Sequence, residues 1–160
     1  MNKFNFWRTL KLGNFRTGSE LLEALNQAGC EFDGNCQFAL RQPDFEVSAV
    51  ETEVKLVVLS LRDLGFRDDA IRSDVYKRAR KLGFELCPCE VGPQLRLQYK
   101  DQPMEESLEI AMEPIAHDCN FSVSLSADEN NGKPALRACS NAHNSWWCDI
   151  DELWVFILPK

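Results

Sequence analysis

Long apolar segments are absent from this sequence. No apolar run approaches the about 18 residues that mark a membrane-spanning helix. Residues 1–13, MNKFNFWRTLKLG, lack both the continuous apolar stretch and the small-residue cleavage site of a secretory signal. We therefore expect a cytoplasmic protein with no membrane partner.

Motifs that mark common enzymes are also missing. The sequence contains no phosphate-binding loop, no G-x-G-x-x-G, no H-E-x-x-H and no G-x-S-x-G. It has only two histidines, His117 and His143, so a Cys–His nucleophile has little local support. The sequence therefore does not favour an enzyme.

Cysteines are frequent, but their number and spacing fit no framework. The chain has seven, an odd number that does not suit the disulfide scaffolds of small secreted proteins. Zinc is the alternative, because soft ligands are available at Cys87, Cys89, His117, Cys119, His143 and Cys148. Structural zinc sites usually use two C-x(2–4)-C pairs, whereas Cys87-Pro88-Cys89 is a poor chelate with no second pair. We predict reduced, mostly buried thiols and no metal or cofactor.

Size and composition are those of a globular protein. The chain has 160 residues, of which 44% are hydrophobic and 27% charged. It forms either one domain over 1–160 or a small lobe at 1–48 followed by a main domain at 49–160. The net charge of −7 argues against a general nucleic-acid coat. Basic zones at 1–18 and 71–100 nevertheless alternate with acidic zones, so a local basic contact stays open.

The N-terminal part predicts a strand and two helices. Residues 4–12 are rich in aromatic and β-branched residues and indicate a strand. Thr17 and Glu20 have the spacing of a capping box, and an apolar stripe that begins at Leu21 runs to a stop at Gly29. A short helix is expected at 34–41.

The centre predicts a pair of helices. A capping box at Ser48 and Glu51 precedes an apolar pattern that indicates a helix over 50–64. A second helix is expected over 71–82. The short turn between them suggests a helix-turn-helix or a helical hairpin.

The remainder predicts strands. Residues 94–99 and 108–113 alternate apolar and polar side chains, which is typical of an antiparallel hairpin. Further strands are expected at 120–125 and 135–139, and an apolar strand at 153–158 buried on both faces. The fold class is therefore α+β: an N-terminal strand and helices, a central helix pair, then an antiparallel hairpin and C-terminal strands in one mixed sheet.

The hairpin carries the candidate site. If Leu95 faces Ile110, then Arg96 faces Glu109 on the other side, and this polar face has the guanidinium needed to hold a carboxylate or phosphate. The alternative is a solvated sheet face with a cross-strand ion pair. The candidate ligand- or partner-binding residues are Cys87, Glu90, Gln94, Arg96, Gln98, Tyr99, Glu109 and Glu113.

Other surfaces offer alternatives. The basic helix followed by a hairpin has the outline of a winged helix, with phosphate contacts from Arg72, Lys77, Arg78 and Lys81. A small enzyme would use a pocket at Cys87, Glu90, Arg96 and Glu113. Trp146, Trp147 and Trp154 are expected to form aromatic core beneath a loop, or else an exposed anchor for a protein partner.

Several segments resemble a family of short bacterial proteins. The likeness covers about 51–115 and the C-terminal strand, and its most specific motif is EVGPQLRLQY at 90–99. Cys89 departs from the family pattern, which argues further against a metal held by Cys87 and Cys89. The resemblance implies a bacterial origin and brings no activity, cofactor or partner. The matching segments are 51–54, 64–66, 82–83, 85–88, 90–103, 110–115 and 154–156.

We therefore expect a small soluble binding or regulatory protein. It would recognise a protein or a small ligand on the surface formed by residues 87–113. A winged-helix nucleic-acid binder and a small enzyme are the alternatives.

Overall fold

The computed structural model describes residues 4–113, 115, 122–139 and 143–159. Helices and strands alternate irregularly along this part of the chain, which confirms the α+β class. In order, the elements are β1 Arg8–Leu12, α1 Gly18–Gln27, β2 Glu31–Phe32, α2 Gly34–Leu40, β3 Thr52–Ser60, β4 Ala70–Ile71, α3 Arg72–Lys81, α4 Val91–Gln98, β5 Ser107–Ile110, β6 Ser122–Ala127, β7 Pro134–Cys139, β8 Trp147–Cys148 and β9 Leu153–Leu158. None of these helices is long and apolar enough to cross a membrane.

Seven of the strands form one mixed sheet, as expected. Its order is β1-β3-β9-β5-β6-β7-β2. The β5–β9 and β2–β7 pairs are parallel, and the other neighbours are antiparallel. β1 and β2, which come from the first 48 residues, therefore lie at opposite edges of the same sheet as the later strands. β4 and β8 form a separate two-stranded sheet.

The N-terminal helices begin and end where the sequence indicates. Thr17 Oγ1 accepts a hydrogen bond from Glu20 N at 3.1 Å, and Glu20 Oε2 accepts one from Arg16 N at 2.7 Å. The glutamate thus reaches back one residue beyond the usual partner in a capping box. Gly29 follows α1 with φ +75°, a left-handed conformation that glycine adopts without strain. Together with α2, these features confirm the predicted helices.

The last strand is the most deeply buried one. β9 lies between β3 and β5, and its four central residues, 154–157, are buried. Val155 and Ile157 face one side of the sheet, and Trp154 and Phe156 face the other. The prediction of a strand buried on both faces is confirmed. β6 and β7 correspond to the strands predicted at 120–125 and 135–139, although residues 120 and 121 lie outside the described residues.

The helix predicted over 50–64 is wrong, because this segment is β3. Leu56, Val57 and Leu59 are buried on alternate faces of the sheet, and the β-branched run suits a strand covered on both sides. An apolar pattern on two edges fits a doubly buried strand as well as a helix. The helix over 71–82 is confirmed as α3, but the central helix pair and the helix-turn-helix are absent from the described residues.

The hairpin of 94–99 with 108–113 is also wrong. Residues 91–98 form α4, in which Val91 and Leu95 stand one turn apart and are buried. β5 pairs with β6 and β9 instead. In so short a segment, the few apolar positions fit both the period of 2 of a strand and the period of 3.6 of a helix. The pattern therefore does not distinguish a strand from a helix.

Helices cover both faces of the sheet. α1, α2 and α4 pack on one face around Leu10, Ile110 and Val155. α3 packs on the other face around Trp154 and Phe156. Since Leu108 and Ile110 belong to the first face, the alternation of β5 turns Glu109 toward the α3 side.

Candidate functional site

Most of the predicted site residues hold α4 in place. Glu90 is 1% exposed, and its carboxylate accepts hydrogen bonds from Gly13 N and Ser48 N, both at 2.7 Å, and from Gln94 Nε2 at 3.0 Å. Gln94 also donates to Asn14 Oδ1 at 2.6 Å. These contacts join the start of α4 to two distant loops, and they occupy the groups that a ligand would need.

Arg96 is internal rather than part of a recognition face. Its Nη1 donates to Gln102 Oε1 at 2.6 Å and to the carbonyls of Ser126 and Ala135, both at 3.2 Å. Its Nη2 donates to Tyr99 O. The side chain is fully buried, and this burial lowers the pKa of its guanidinium. The predicted Arg96–Glu109 ion pair is therefore wrong: α4 lies on the face of the sheet opposite Glu109.

The remaining predicted residues are dispersed. Cys87 Sγ lies 3.4 Å from Val155 O in the core, where burial raises the pKa of the thiol. Tyr99 is buried and donates from its hydroxyl to Glu106 at 2.8 Å. Gln98 bonds the backbone of Lys11, and Glu113 is exposed and pairs with Arg80 at 3.0 Å. The pocket predicted at Cys87, Glu90, Arg96 and Glu113 does not form, because each side chain is engaged in a different place.

The basic helix exposes less charge than its sequence suggests. Arg72 is 3% exposed, and its Nε donates to the hydroxyl of Tyr76 at 2.9 Å. Arg78 donates to Leu64 O at 2.8 Å. Lys77 and Lys81 are exposed. Three parts of the predicted winged helix are therefore missing. The segment of its first helix is β3, the hairpin that would form its wing is absent from the described residues, and Arg72 is buried.

Glu109 lines a cavity on the α3 side of the sheet. The cavity has a volume of about 110 Å³. Glu109 pairs in register with Ser124 on β6 and with Trp154 on β9, so both neighbouring strands contribute a side chain to the same face. The lining residues are Arg72, Glu109, Ser124, Cys139, Trp146, Trp147, Cys148, Glu152 and Trp154.

The electrostatics of this cavity are unbalanced. The pKa of Glu109 is raised to about 7, mainly by burial. The nearby Glu152 carboxyl also contributes to this rise, and its effect is larger than the lowering by Arg72. Burial also raises the pKa of Glu152. Neither carboxyl takes part in the ion pairs formed between described residues. Two carboxyls thus share a cavity without a cation in direct contact.

Arg72 supplies the positive charge of the cavity, but it is held by aromatic rings. Its guanidinium carbon lies 5.4 Å from the ring centre of Tyr76 and 5.7 Å from that of Trp154. These distances are those of cation–π contacts. The hydroxyl of Tyr76 in turn donates to Met112 O at 3.1 Å, which fixes the ring. Arg72 therefore lies beside the two carboxyls without forming an ion pair with either of them.

The three C-terminal tryptophans divide between the two expected roles. Trp154 is 4% exposed and belongs to the core, whereas Trp147 is 71% and Trp146 47% exposed at the rim of the cavity. Trp154 Nε1 is buried and directed toward Glu152, lowering the pKa of that carboxyl, but it makes no hydrogen bond of normal geometry to the described residues. The cavity therefore combines a buried donor with two carboxyls that form no ion pair among the described residues.

The thiol of Cys148 in the cavity is protonated near neutral pH. Burial raises the pKa of Cys148 to about 12, so its thiol is not a nucleophile near neutral pH. Within the described residues, no three histidine, cysteine or acidic side chains come together to hold a metal ion. His117 and Cys119, which the sequence offered as zinc ligands, lie outside that part of the chain.

Sequence reasoning found Glu109 but missed most of its neighbours. The sequence suggests a phosphate contact for Arg72, and it gives no sign that Ser124, Cys139 and Glu152 lie beside Glu109. One signal was available: an apolar run such as 153–158 implies a sheet covered on both faces, so a charged residue in a neighbouring strand is buried. The strand order that brings the others together is not written in local patterns.

A larger cavity of about 430 Å³ lies where β1 ends and β3 begins. It is lined mainly by exposed side chains, among them Lys11, Asn14 and Glu53. Asn14 and Lys11 already bond Gln94 and Gln98 of α4. The Glu109 cavity is therefore the better candidate site, despite its smaller volume.

Comparison with protein-family models, with curated proteins and with solved structures finds no match to this chain. The resemblance to a bacterial family stays a prediction.

Proposed function

We propose that this chain is a binding protein and that it recognises a positively charged group in the Glu109 cavity. The observation that carries the proposal is the pair of carboxyls, Glu109 and Glu152, which share one cavity and form no ion pair with a cation among the described residues. Both carboxyls are partly buried, and a carboxylate withdrawn from water is costly unless it is paired. A bound cation would pair it and recover that cost.

Charge and size define the class of ligand. With both carboxyls ionised, the lining carries two negative charges against the single positive charge of Arg72. The volume of about 110 Å³ is well below the roughly 300 Å³ at which pockets for whole small molecules begin. The cavity therefore suits a head group, such as an ammonium or a guanidinium.

The proposal moves the binding surface predicted at 87–113 to another place. Of the predicted residues, only Glu109 lines the cavity. Recognition of nucleic acid by α3 would depend mainly on Lys77 and Lys81, and no second basic element of the predicted winged helix supports them. We regard binding of a cation as better supported.

Acid–base catalysis is a second candidate, and one observation favours it. A carboxyl with a pKa of about 7 beside a second carboxyl is suited to exchange protons at neutral pH. A substrate bearing a basic group would bind through the same carboxyls. Cation binding is therefore tested first.

The test is a titration with guanidinium and with the amide of N-acetyl-lysine, followed by NMR of the indole N–H signals. We expect saturable shifts at Trp147 and Trp154, and affinity about tenfold higher at pH 8 than at pH 6, because Glu109 must lose its proton to bind a cation. Sodium chloride at equal ionic strength controls for screening.

Glu109→Gln should lose binding at pH 8, whereas Glu113→Gln, at an exposed ion pair, should keep it. Shifts that do not saturate, or equal affinity in the Glu109→Gln variant, would contradict the proposal.

A further inference from the structure

We infer that the group entering the Glu109 cavity is a lysine or arginine side chain of a basic segment in a partner protein, docked across Trp146 and Trp147. The inference rests on the proposed function and names the partner class for the same site.

The rim is aromatic and exposed. Trp147 is 71% and Trp146 47% exposed, although tryptophan is highly buried on average. Their backbone is fixed, since Arg72 N donates to Trp146 O at 2.8 Å and Ser73 N to Asn144 O at 2.9 Å. Rigid, exposed tryptophans beside a pocket are the typical anchors of protein interfaces. They lie where the aliphatic stem of a long basic side chain would pass.

Charge around the rim favours a basic partner. Two loops carry exposed or partly exposed acids, one before β4 and one between β8 and β9. The loops are in contact, since Ile150 N donates to Asp69 Oδ1 at 2.8 Å. Five carboxyls lie on them: Asp68, Asp69, Asp149, Asp151 and Glu152.

The cations near these loops are fewer. Arg62 pairs with Asp151 at 2.9 Å, and Arg67 is exposed in the loop before β4. The surface that surrounds the tryptophans is therefore net acidic. It attracts a basic segment and repels nucleic acid and acidic peptides.

The interior of the cavity favours a peptide over a free polyamine. Trp154 Nε1 is a buried donor that is directed toward Glu152 but makes no hydrogen bond of normal geometry to it. An occupant that brings an acceptor as well as a cation would satisfy this donor. A polyamine has cationic nitrogens but no acceptor. A peptide has both, because a backbone carbonyl accompanies every basic side chain.

The experiment measures fluorescence polarisation of labelled nine-residue peptides. One peptide has a central lysine with two flanking lysines in a Gly/Ser/Leu background, and a second has glutamate at the three charged positions. We expect the basic peptide to bind at pH 8 and the acidic peptide not to bind. Equal binding of both peptides would overturn the inference.

Variants separate the inference from the proposed function. Trp147→Ala should weaken binding of the basic peptide by about tenfold or more, and should weaken binding of guanidinium by a clearly smaller factor. Glu109→Gln should remove both. Met104→Ala is the matched control, because Met104 is 53% exposed beside the turn at Gly132, at the other end of the β6–β7 hairpin.

The remaining outcomes are also decisive. If guanidinium binds and the basic peptide gains nothing from Trp147, the inference fails while the proposed function stands. If neither binds, both fail. Competition by spermidine at the affinity of the peptide would identify a free polyamine instead, and a concentration-dependent dimer that blocks the peptide would identify a second copy of this chain. Each of these results would overturn the inference.

Discussion

Glu109 is the residue at which stability and recognition meet. Its pKa is raised from 4.5 to about 7 in the folded protein, chiefly by burial. Between these two values the folded state holds a proton that the unfolded state has lost, so stability falls as the pH rises through this range. At pH 8 the carboxyl is ionised in both states, and the full cost of burying its charge is present.

The first stability prediction follows from this sign. Glu109→Gln keeps the shape of the side chain without the charge. We expect it to raise the free energy of unfolding by about 1–3 kcal/mol at pH 8 and to change it little at pH 4.5. Urea unfolding at the two pH values measures the difference. Glu113→Gln should show no such pH dependence, and a destabilised Glu109→Gln protein at pH 8 would refute this account of Glu109.

Also at the scale of residues, the face of the sheet on which Glu109 lies could be predicted from the sequence, whereas the residues that surround it could not. The alternation of Leu108, Glu109 and Ile110 is local and correctly puts the glutamate on the opposite face from the two apolar residues. Its neighbours Ser124 and Trp154 come from strands paired with β5 at long range. The predicted hairpin instead places Arg96 opposite Glu109, and this pairing does not form because residues 91–98 are α4.

At the scale of elements, α4 depends on one close approach. A Cβ at Gly92 would stand 2.8 Å from Val123 Cγ1 and 3.8 Å from Ile110 Cγ1. The absence of a side chain at Gly92 lets the first turn of α4 lie directly on β5 and β6. The alternation of 94–99 gives no sign of this contact, and therefore none of the helix.

We expect Gly92→Ala to lower the free energy of unfolding by about 1–3 kcal/mol, since overpacking outweighs the better helix propensity of alanine. Thermal unfolding measures the change. Gly34→Ala is the matched control, because it lies in α2 with no atom within 4 Å of the added Cβ. It should be neutral or stabilising, and equal losses at both positions would contradict the packing argument.

Other elements were predictable to different degrees. α1 and α2 carry their own signals in caps and terminal glycines, so local sequence suffices for them. β3 does not, because its apolar residues on two edges serve a helix or a doubly buried strand equally well. Its position between β1 and β9 makes it a strand, and that position is a property of the whole sheet.

A glutamine of α4 covers part of the outer edge of β1. The side-chain amide of Gln98 accepts from Lys11 N at 3.2 Å and donates to Lys11 O at 3.0 Å. These are the two groups through which another strand would pair at this residue. An amide in this position hinders edge-to-edge association of the sheet.

At the scale of the whole molecule, the fold depends on its last strand. β9 contributes four buried residues to the two cores, and each large apolar side chain contributes about 1.5–3 kcal/mol on burial. That sum is comparable to the total stability of about 5–15 kcal/mol expected of a natural protein. Removing β9 would also divide the sheet, because β3 would keep β1 and β5 would keep β6 as its one remaining neighbour.

We therefore expect a chain that stops after Glu152 to lose cooperative unfolding and to be cleaved rapidly by proteases. A chain that stops after Leu158 should unfold like the full chain. Circular dichroism during heating and limited proteolysis distinguish the two. A cooperative transition in the shorter chain would show that β9 is dispensable.

The central place of β9 also sets the timing of folding during synthesis. β1 and β3 are synthesised early, but β9, the second partner of β3, is completed only at Leu158, about 98 residues after the end of β3. At about 5–20 residues per second, the nascent chain waits about 5–20 s with an open strand edge and exposed apolar residues. During that interval the unfinished sheet is a target for chaperones and a hazard for aggregation, and translation speed becomes a determinant of yield.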